Sequence, residues 1–340
     1  EIMPSLVGSE MCIRDRNSIT VNGLALDCTG STFEFAAFCR GDVTLGIYVD
    51  APEAYENRLY FSVYIDGQLL EPREKFGFGG KRKTELVLAR DLEEGYHTFS
   101  VIRQNESETG EFCIRYIILT GRLQTPPRDR DRYIEFVGDS ITTGIGNLYT
   151  PDSWDPNVDP KSKVYQDGTQ TYAILAARRL RADYSVVAQQ GIGIICGWQP
   201  HTMLETYEMT CYQRNRRDDW NFIRQPDFVV INLGSNDIDK IEENGKTPED
   251  VQAGAVRLSQ IIRSHYPAAG IVWAMGMIGQ QLCPYLRAAV EELGGAENRC
   301  YYLQLESDTA GGGSHPSLAG QRRNAELLYE FLKKLYEERG

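Results

Sequence analysis

One serine and one histidine carry the first chemistry in this sequence. Ser140 stands in Gly138-Asp139-Ser140-Ile141-Thr142, directly after the apolar run Tyr133-Ile134-Glu135-Phe136-Val137. A serine where a strand turns into a helix has backbone N–H groups beside it that can meet an anion. The segment lacks the second glycine of a G-x-S-x-G elbow. A serine hydroxyl is a poor nucleophile until a neighbouring base takes its proton, and histidine has the suitable pKa. There are four histidines, and His315 sits in the loop Gly311-Gly312-Gly313-Ser314-His315-Pro316, ahead of the last helical stretch. The others read otherwise. His97 lies on a predicted strand, and His265 ends a predicted helix, where a cation suits the dipole. His201 and Glu205 share a helical face, but two residues do not make a metal site.

A tetrahedral oxyanion needs preorganised donors. Two further loops that follow predicted strands offer them: Gln190-Gly191-Ile192-Gly193 and Leu233-Gly234-Ser235-Asn236-Asp237. The candidate donors are the N–H of Ser140, the N–H of a loop glycine and the side-chain amide of Asn236. Loop spacing favours Gly193, with Gly191 as the alternative. Asp139 reads as a structural partner of the serine turn. Trp198, Trp154 and Tyr149 lie in loops near these blocks and are candidate platforms for sugar rings, although a tryptophan is more often core. Glu291-Glu292 and Glu242-Glu243 read as solvated helix faces, not as a glycosidase pair. Asn105-Glu106-Ser107 matches the glycosylation pattern, which carries little by itself. No dinucleotide or Walker loop is found and no cysteine or histidine spacing fits a metal, so the chemistry implies no cofactor.

These loops need elements to position them. Residues 17–125 read as all-β. Phe33–Phe35, Val43–Val49, Tyr60–Ile65, Thr84–Leu88, His97–Val101 and Phe112–Leu119 have strand length and composition, with turn signals at Asp66-Gly67 and Glu94-Gly95. Short strands at this spacing predict a sandwich or jelly roll. Gln124 to Arg132, with two prolines and a mixed charge run, predicts a boundary, with the linker at 126–132. From residue 133 to 340 strands alternate with helices. Strands are expected at 133–137, 184–188, 227–233, 270–275 and 300–305, and helices at 171–180, 248–265, 284–293 and 317–338. That alternation predicts an α/β domain with a parallel sheet, whose site lies at the carboxyl ends of the strands.

The 340 residues carry a formal net charge of −12, which argues against nucleic acid as a partner. No stretch approaches the roughly 20 apolar residues of a membrane helix. The first 16 residues fit neither the strand pattern nor a signal peptide, and read as a non-native, adapter-derived segment that hides the natural start. Outside it, seven cysteines show no C-x-x-C pairing. An odd count in apolar runs leans toward free thiols and a reducing compartment, with secretion left open.

The four blocks Gly-Asp-Ser-Ile-Thr, the glycine loop, Gly-Ser-Asn-Asp and the late His-Pro resemble, in order, those of the SGNH (GDSL-like) hydrolases. The β-rich front half, with Tyr64-Ile65-Asp66-Gly67, Gly95-Tyr96-His97-Thr98 and Thr171-Tyr172-Ala173, is similar to carbohydrate esterase family two. The resemblance implies a flavodoxin-like three-layer sheet behind a jelly roll. It also implies removal of O-acetyl groups from xylan- or mannan-type carbohydrate through an acetyl-enzyme. By matching position it makes Ser140 the nucleophile and His315 the base, with Ser140, Gly193 and Asn236 at the oxyanion. Many SGNH enzymes place an Asp two or three residues before the His, but Gly313 and Gly312 stand there. The expectation is therefore a Ser–His dyad, with Asp308 the possible third member. The alternatives are an esterase for other small acyl groups and a carbohydrate-binding protein with a decayed site.

Overall fold

The computed structural model describes residues 11–14, 18–125, 129–212 and 216–339. The front part is one antiparallel sheet. Its main order is Ser18–Thr20, Gly23–Ala25, Glu111–Gln124, Thr32–Ala51, Gly80–Arg103, Leu59–Ile65 and Gln68–Leu69. Met11–Arg14, within the segment set aside on sequence grounds, pairs antiparallel with Thr32–Phe35. The predicted turn at Asp66-Gly67 is present, with both residues at positive φ (51° and 77°), as a two-residue hairpin requires.

The predicted turn at Glu94-Gly95 is absent. Gly95 lies inside a 24-residue strand, opposite Cys39. Four expected short strands are in fact two long ones, Thr32–Ala51 and Gly80–Arg103, joined through register shifts near Gly41. Gly41 and Asp91, both at positive φ, take up the kink. A bulge bends a strand without ending its ladder, so the breaker residues mark bends here rather than hairpins. Phe33, Phe35, Phe61, Phe99 and Phe112 fill the core beneath, with Phe35 and Phe99 stacked at 4.6 Å.

The rest is built on five parallel strands in the order Asp183–Ala188, Tyr133–Gly138, Phe228–Asn232, Gly270–Met275 and Cys300–Gln304. The three central strands are buried at every position because both faces are covered, while the edge strand Cys300–Gln304 is largely half-buried. Val229, Ile231 and Trp273 pack with residues of the helices Pro248–His265 and Cys283–Glu292. Phe228, Val230 and Val272 pack, on the alternate positions, with residues of Tyr172–Arg179 and Leu318–Arg339. The hairpin Met209–Cys211 with Arg216–Asp219 is an addition that the sequence reading lacked.

Among the described residues no helix is long and apolar enough to cross a membrane. Among the described residues, Cys39, Cys113, Cys196, Cys283 and Cys300 are free thiols. Residues 126–128 of the expected linker lie outside the described residues. Asn105 is fully buried and donates to the Lys163 carbonyl at 3.2 Å, so its sequon is closed to modification.

Candidate active site

The strand Tyr133–Gly138 ends in the turn that presents Ser140. Asp139, fully buried, caps the short helix Ser140–Thr143 by accepting from the Ile141 N–H at 2.9 Å. Its other oxygen accepts from Ser235 Oγ and from Asn236 Nδ2 at 3.2 Å. Burial pushes the Asp139 carboxyl up to about 6, against the pull of these donors. This aspartate thus ties the serine turn to the Gly234-Ser235-Asn236 loop.

His315 Nε2 stands 2.9 Å from Ser140 Oγ. On the other side of the ring, Nδ1 lies 3.0 Å from the Gly313 carbonyl. A carbonyl only accepts, so Nδ1 carries the proton and Nε2 offers its lone pair to the serine. Burial lowers the His315 pKa, which favours that neutral form. The loop that places the ring is tightly laced. Gly311 N–H donates to the His315 carbonyl and Gly312 N–H to the Gly146 carbonyl, both at 2.8 Å. Gly313 and Ser314 each sit at φ 60°. A Cβ at Gly312 would lie 2.0 Å from the Pro160 carbonyl oxygen, so the glycine run is steric necessity rather than slack.

Asp308 is engaged elsewhere. It accepts from the Ser317 N–H at 2.8 Å and from Arg323 Nη2 at 2.6 Å, and these donors help hold its carboxyl below the usual range. It secures the start of the last helix, where Ser317 Oγ accepts from the Gly320 N–H.

A cleft of about 520 Å³ contains Ser140, His315, Asn236, Gly191, Trp198 and Glu108 among its lining residues. Gly191 lines this cleft, whereas Gly193, the glycine favoured by loop spacing, is not among its lining residues. Gly193 lies behind it, where a Cβ would stand 1.7 Å from the Cys196 carbonyl oxygen and 2.7 Å from Asp237 Oδ2. Its glycine lets the loop wrap the Asp237 carboxylate, which accepts from the N–H groups of Ile194, Ile195 and Cys196. Among the described residues, the Ser140, Gly191 and Gly193 amides meet no acceptor. Asn236 Nδ2 donates to the Ile192 carbonyl at 2.8 Å as well as to Asp139.

Trp198 projects at the cleft, 63% exposed, with Lys240 Nζ 3.9 Å from its ring centroid. Trp154 and Tyr149 lie outside the cleft wall, and Tyr149 packs edge-on against Tyr165. His201 Nε2 donates to Gln189 Oε1 at 2.6 Å, while Glu205 closes a capping box with Thr202. Among the described residues no group of three or more His, Cys, Asp or Glu could hold a metal ion. A larger groove, about 940 Å³, lies between the helix Cys283–Glu292 and the strand Cys300–Gln304, away from the Ser140–His315 pair.

Residues 136–323 match the GDSL-like lipase/acylhydrolase family. The chain is similar to cellulase/esterase CelE of Acetivibrio thermocellus, 30% identical over 290 residues, which cover 81% of this chain and 34% of that protein. It is 26% identical over 192 residues to an acetylxylan esterase/glucomannan deacetylase of Cellvibrio japonicus, covering 54% and 51%. The chain thus spans about a third and about half of the lengths of these relatives. Its fold is similar to that of an acetyl xylan esterase from the rumen bacterium Butyrivibrio proteoclasticus, with TM-score 0.84 at 21% identity over 98% and 97% of the two chains. It is also similar to a family two carbohydrate esterase from Clostridium thermocellum in complex with cellohexaose, with TM-score 0.82 at 24% identity over 96% and 99%.

Proposed function

The chain belongs to the GDSL-like lipase/acylhydrolase family, and from that premise we propose that it is a serine esterase removing acetyl groups from carbohydrate. The observation that carries the reading is the 2.9 Å contact from Ser140 Oγ to His315 Nε2, with Nδ1 held by the Gly313 carbonyl. Ser140 Oγ attacks the ester carbonyl and passes its proton to His315. The oxyanion meets the Ser140 and Gly191 amides, and Asn236 joins them if it releases Asp139. The tetrahedral intermediate collapses, and His315 returns the proton to the departing sugar hydroxyl. His315 then takes a proton from water, which attacks the acetyl-enzyme; the second tetrahedral intermediate collapses, acetic acid leaves, and His315 returns the proton to Ser140 Oγ. A main-chain carbonyl in place of a carboxylate still fixes the tautomer, so the pair works as a dyad.

Carbohydrate as substrate is supported by Trp198 at the cleft and by relatives described as acetylxylan esterases. Residues 17–125 form the jelly-roll unit of this reading, 126–132 the linker and 133–340 the hydrolase unit. The parallel order, with the second strand beside the first and the later three following in turn, supports the flavodoxin-like assignment.

The test is acetate release from p-nitrophenyl acetate and from acetylated xylan by wild type and Ser140→Ala. Turnover of both substrates, lost in Ser140→Ala, is expected. Turnover of p-nitrophenyl acetate alone would move the substrate to other small acyl esters. Failure of folded wild type to turn over either ester or to react with a serine-directed phosphonate would leave a carbohydrate-binding protein.

A further inference from the structure

Two carboxylates of the antiparallel unit reach across to the loop that carries Gly191. Both sit in the segment Gln104–Gly110, which is anchored by Arg103, a fully buried arginine. Its guanidinium donates to the carbonyls of Leu26, Asn105, Glu106 and Gly110 at 2.6–2.9 Å. Glu106 is fully buried, and such a carboxylate needs close partners. It has Lys163 Nζ at 2.6 Å from Oε1 and the Gln190 N–H at 2.7 Å from Oε2. Glu108 lies on the cleft wall and accepts from Gln189 Nε2 and, at 3.1 Å, from Gln199 Nε2. The same Gln199 Nε2 donates to the Gln190 carbonyl at 2.8 Å.

Gln190 is therefore gripped at both ends, directly at its N–H by Glu106 and at its carbonyl by Gln199, itself held by Glu108. The peptide between Gln190 and Gly191 is planar and trans, so its C=O and N–H point opposite ways. Fixing the Gln190 carbonyl toward Gln199 turns the Gly191 N–H the other way, and that N–H has no acceptor among the described residues.

We infer that Glu106 and Glu108 are positioning residues that aim the Gly191 amide at the oxyanion, so that the antiparallel unit completes the catalytic centre. This rests on the esterase reading above. Neither carboxylate is required to touch the ester; both act through Gln190.

The test compares wild type, Glu106→Gln and Glu108→Ala in the full chain. The readouts are the rate of Ser140 labelling by a small phosphonate, the final labelled fraction by intact mass, and kcat and KM on p-nitrophenyl acetate and on acetylated xylan. An amide at 106 cannot accept from both Lys163 and the Gln190 N–H. Losing an oxyanion donor outright costs about 10²–10³-fold in kcat. A misaimed donor is expected to slow labelling and kcat by ~10-fold or more in Glu106→Gln, with the labelled fraction complete and KM little changed. Glu108→Ala, at a more exposed position, is expected to fall several-fold in the same rates, and it carries the test if Glu106→Gln does not fold. Wild-type rates in the folded variants would overturn the inference. So would a reduced labelled fraction whose remaining sites react at the wild-type rate, since that is loss of fold alone. A Glu108→Ala loss confined to acetylated xylan would make Glu108 a substrate contact and overturn its positioning role. Wild type inert to the phosphonate would instead sink the esterase reading itself.

Discussion

At the scale of single residues, the arrangement turns on which form of His315 is populated. Burial lowers its pKa below the ordinary 6.5, so the neutral base persists to lower pH than a solvated imidazole would. The acid limb of kcat/KM on p-nitrophenyl acetate should therefore have its midpoint below pH 6.5. A midpoint at or above 6.5 would mean that the ring is solvated or paired with a carboxylate. Asp308 gives the complementary check. Removing an acid that orients a catalytic histidine costs about 10⁴ in kcat. Here Asp308 serves Ser317 and Arg323. Asp308→Ala should therefore keep kcat within about 10-fold, while its melting temperature falls by about 1–3 °C, the shift that roughly 1 kcal/mol of lost capping brings in a chain of this size. A loss of thousands-fold with the fold intact would restore a triad.

At the scale of elements, the loops after the parallel strands differ in what their special residues face. Gly191 faces the cleft, and Gly193 faces Cys196 and the Asp237 carboxylate. Trp198, two turns of loop further on, is held by Lys240 beneath its ring and by Asp239, whose Oδ2 lies 3.4 Å from Nε1. A tryptophan fixed this way and still largely exposed has one apolar surface left for a ligand. Trp198→Ala should raise KM for acetylated xylo-oligosaccharides ~2–10-fold, the equivalent of roughly 0.5–1.5 kcal/mol of ring contact, and leave p-nitrophenyl acetate kinetics unchanged. An equal effect on both substrates would make the ring a support for the loop instead. Trp154→Ala, outside the cleft wall, serves as the control.

At the scale of the whole molecule, the two units are joined by polar contacts that run toward the serine. Arg73 of the antiparallel unit donates to the Val164 and Gln166 carbonyls at 2.7 Å and to Gln104 Oε1 at 2.6 Å. Gln166 Nε2 in turn donates to the Thr143 carbonyl, in the short helix that begins at Ser140. Asn147 links the same segment, through Asp167, to the loop on which Gly312 rests. Arg73→Ala strands several of these acceptors away from water and should cost roughly 2–4 kcal/mol in urea unfolding, read as a lower midpoint at unchanged slope. A second transition appearing in the variant would show that the two units unfold separately once the junction is cut.

The sequence alone was enough to choose Ser140, His315 and Asn236, because their types and order after separate apolar strands restrict the chemistry. The central parallel strands were equally legible, since burial on both faces leaves a nearly continuous apolar signature, and so were the helices Pro248–His265 and Cys283–Glu292, from their helical apolar spacing. The bent strands were not. Gly41 and Gly95 mark a break in a one-dimensional reading, while only their cross-strand partners show that the ladder continues. The choice between Gly191 and Gly193 likewise rests on the folded loop, which sets Cys196 and the Asp237 carboxylate against Gly193 and Trp198 against Gly191. Glu106 and Glu108 carry no local signal at all. They lie more than 80 positions from Gln190 and Gln189, and only the tertiary fold, by burying one and tying both to that loop, gives them a part in the site.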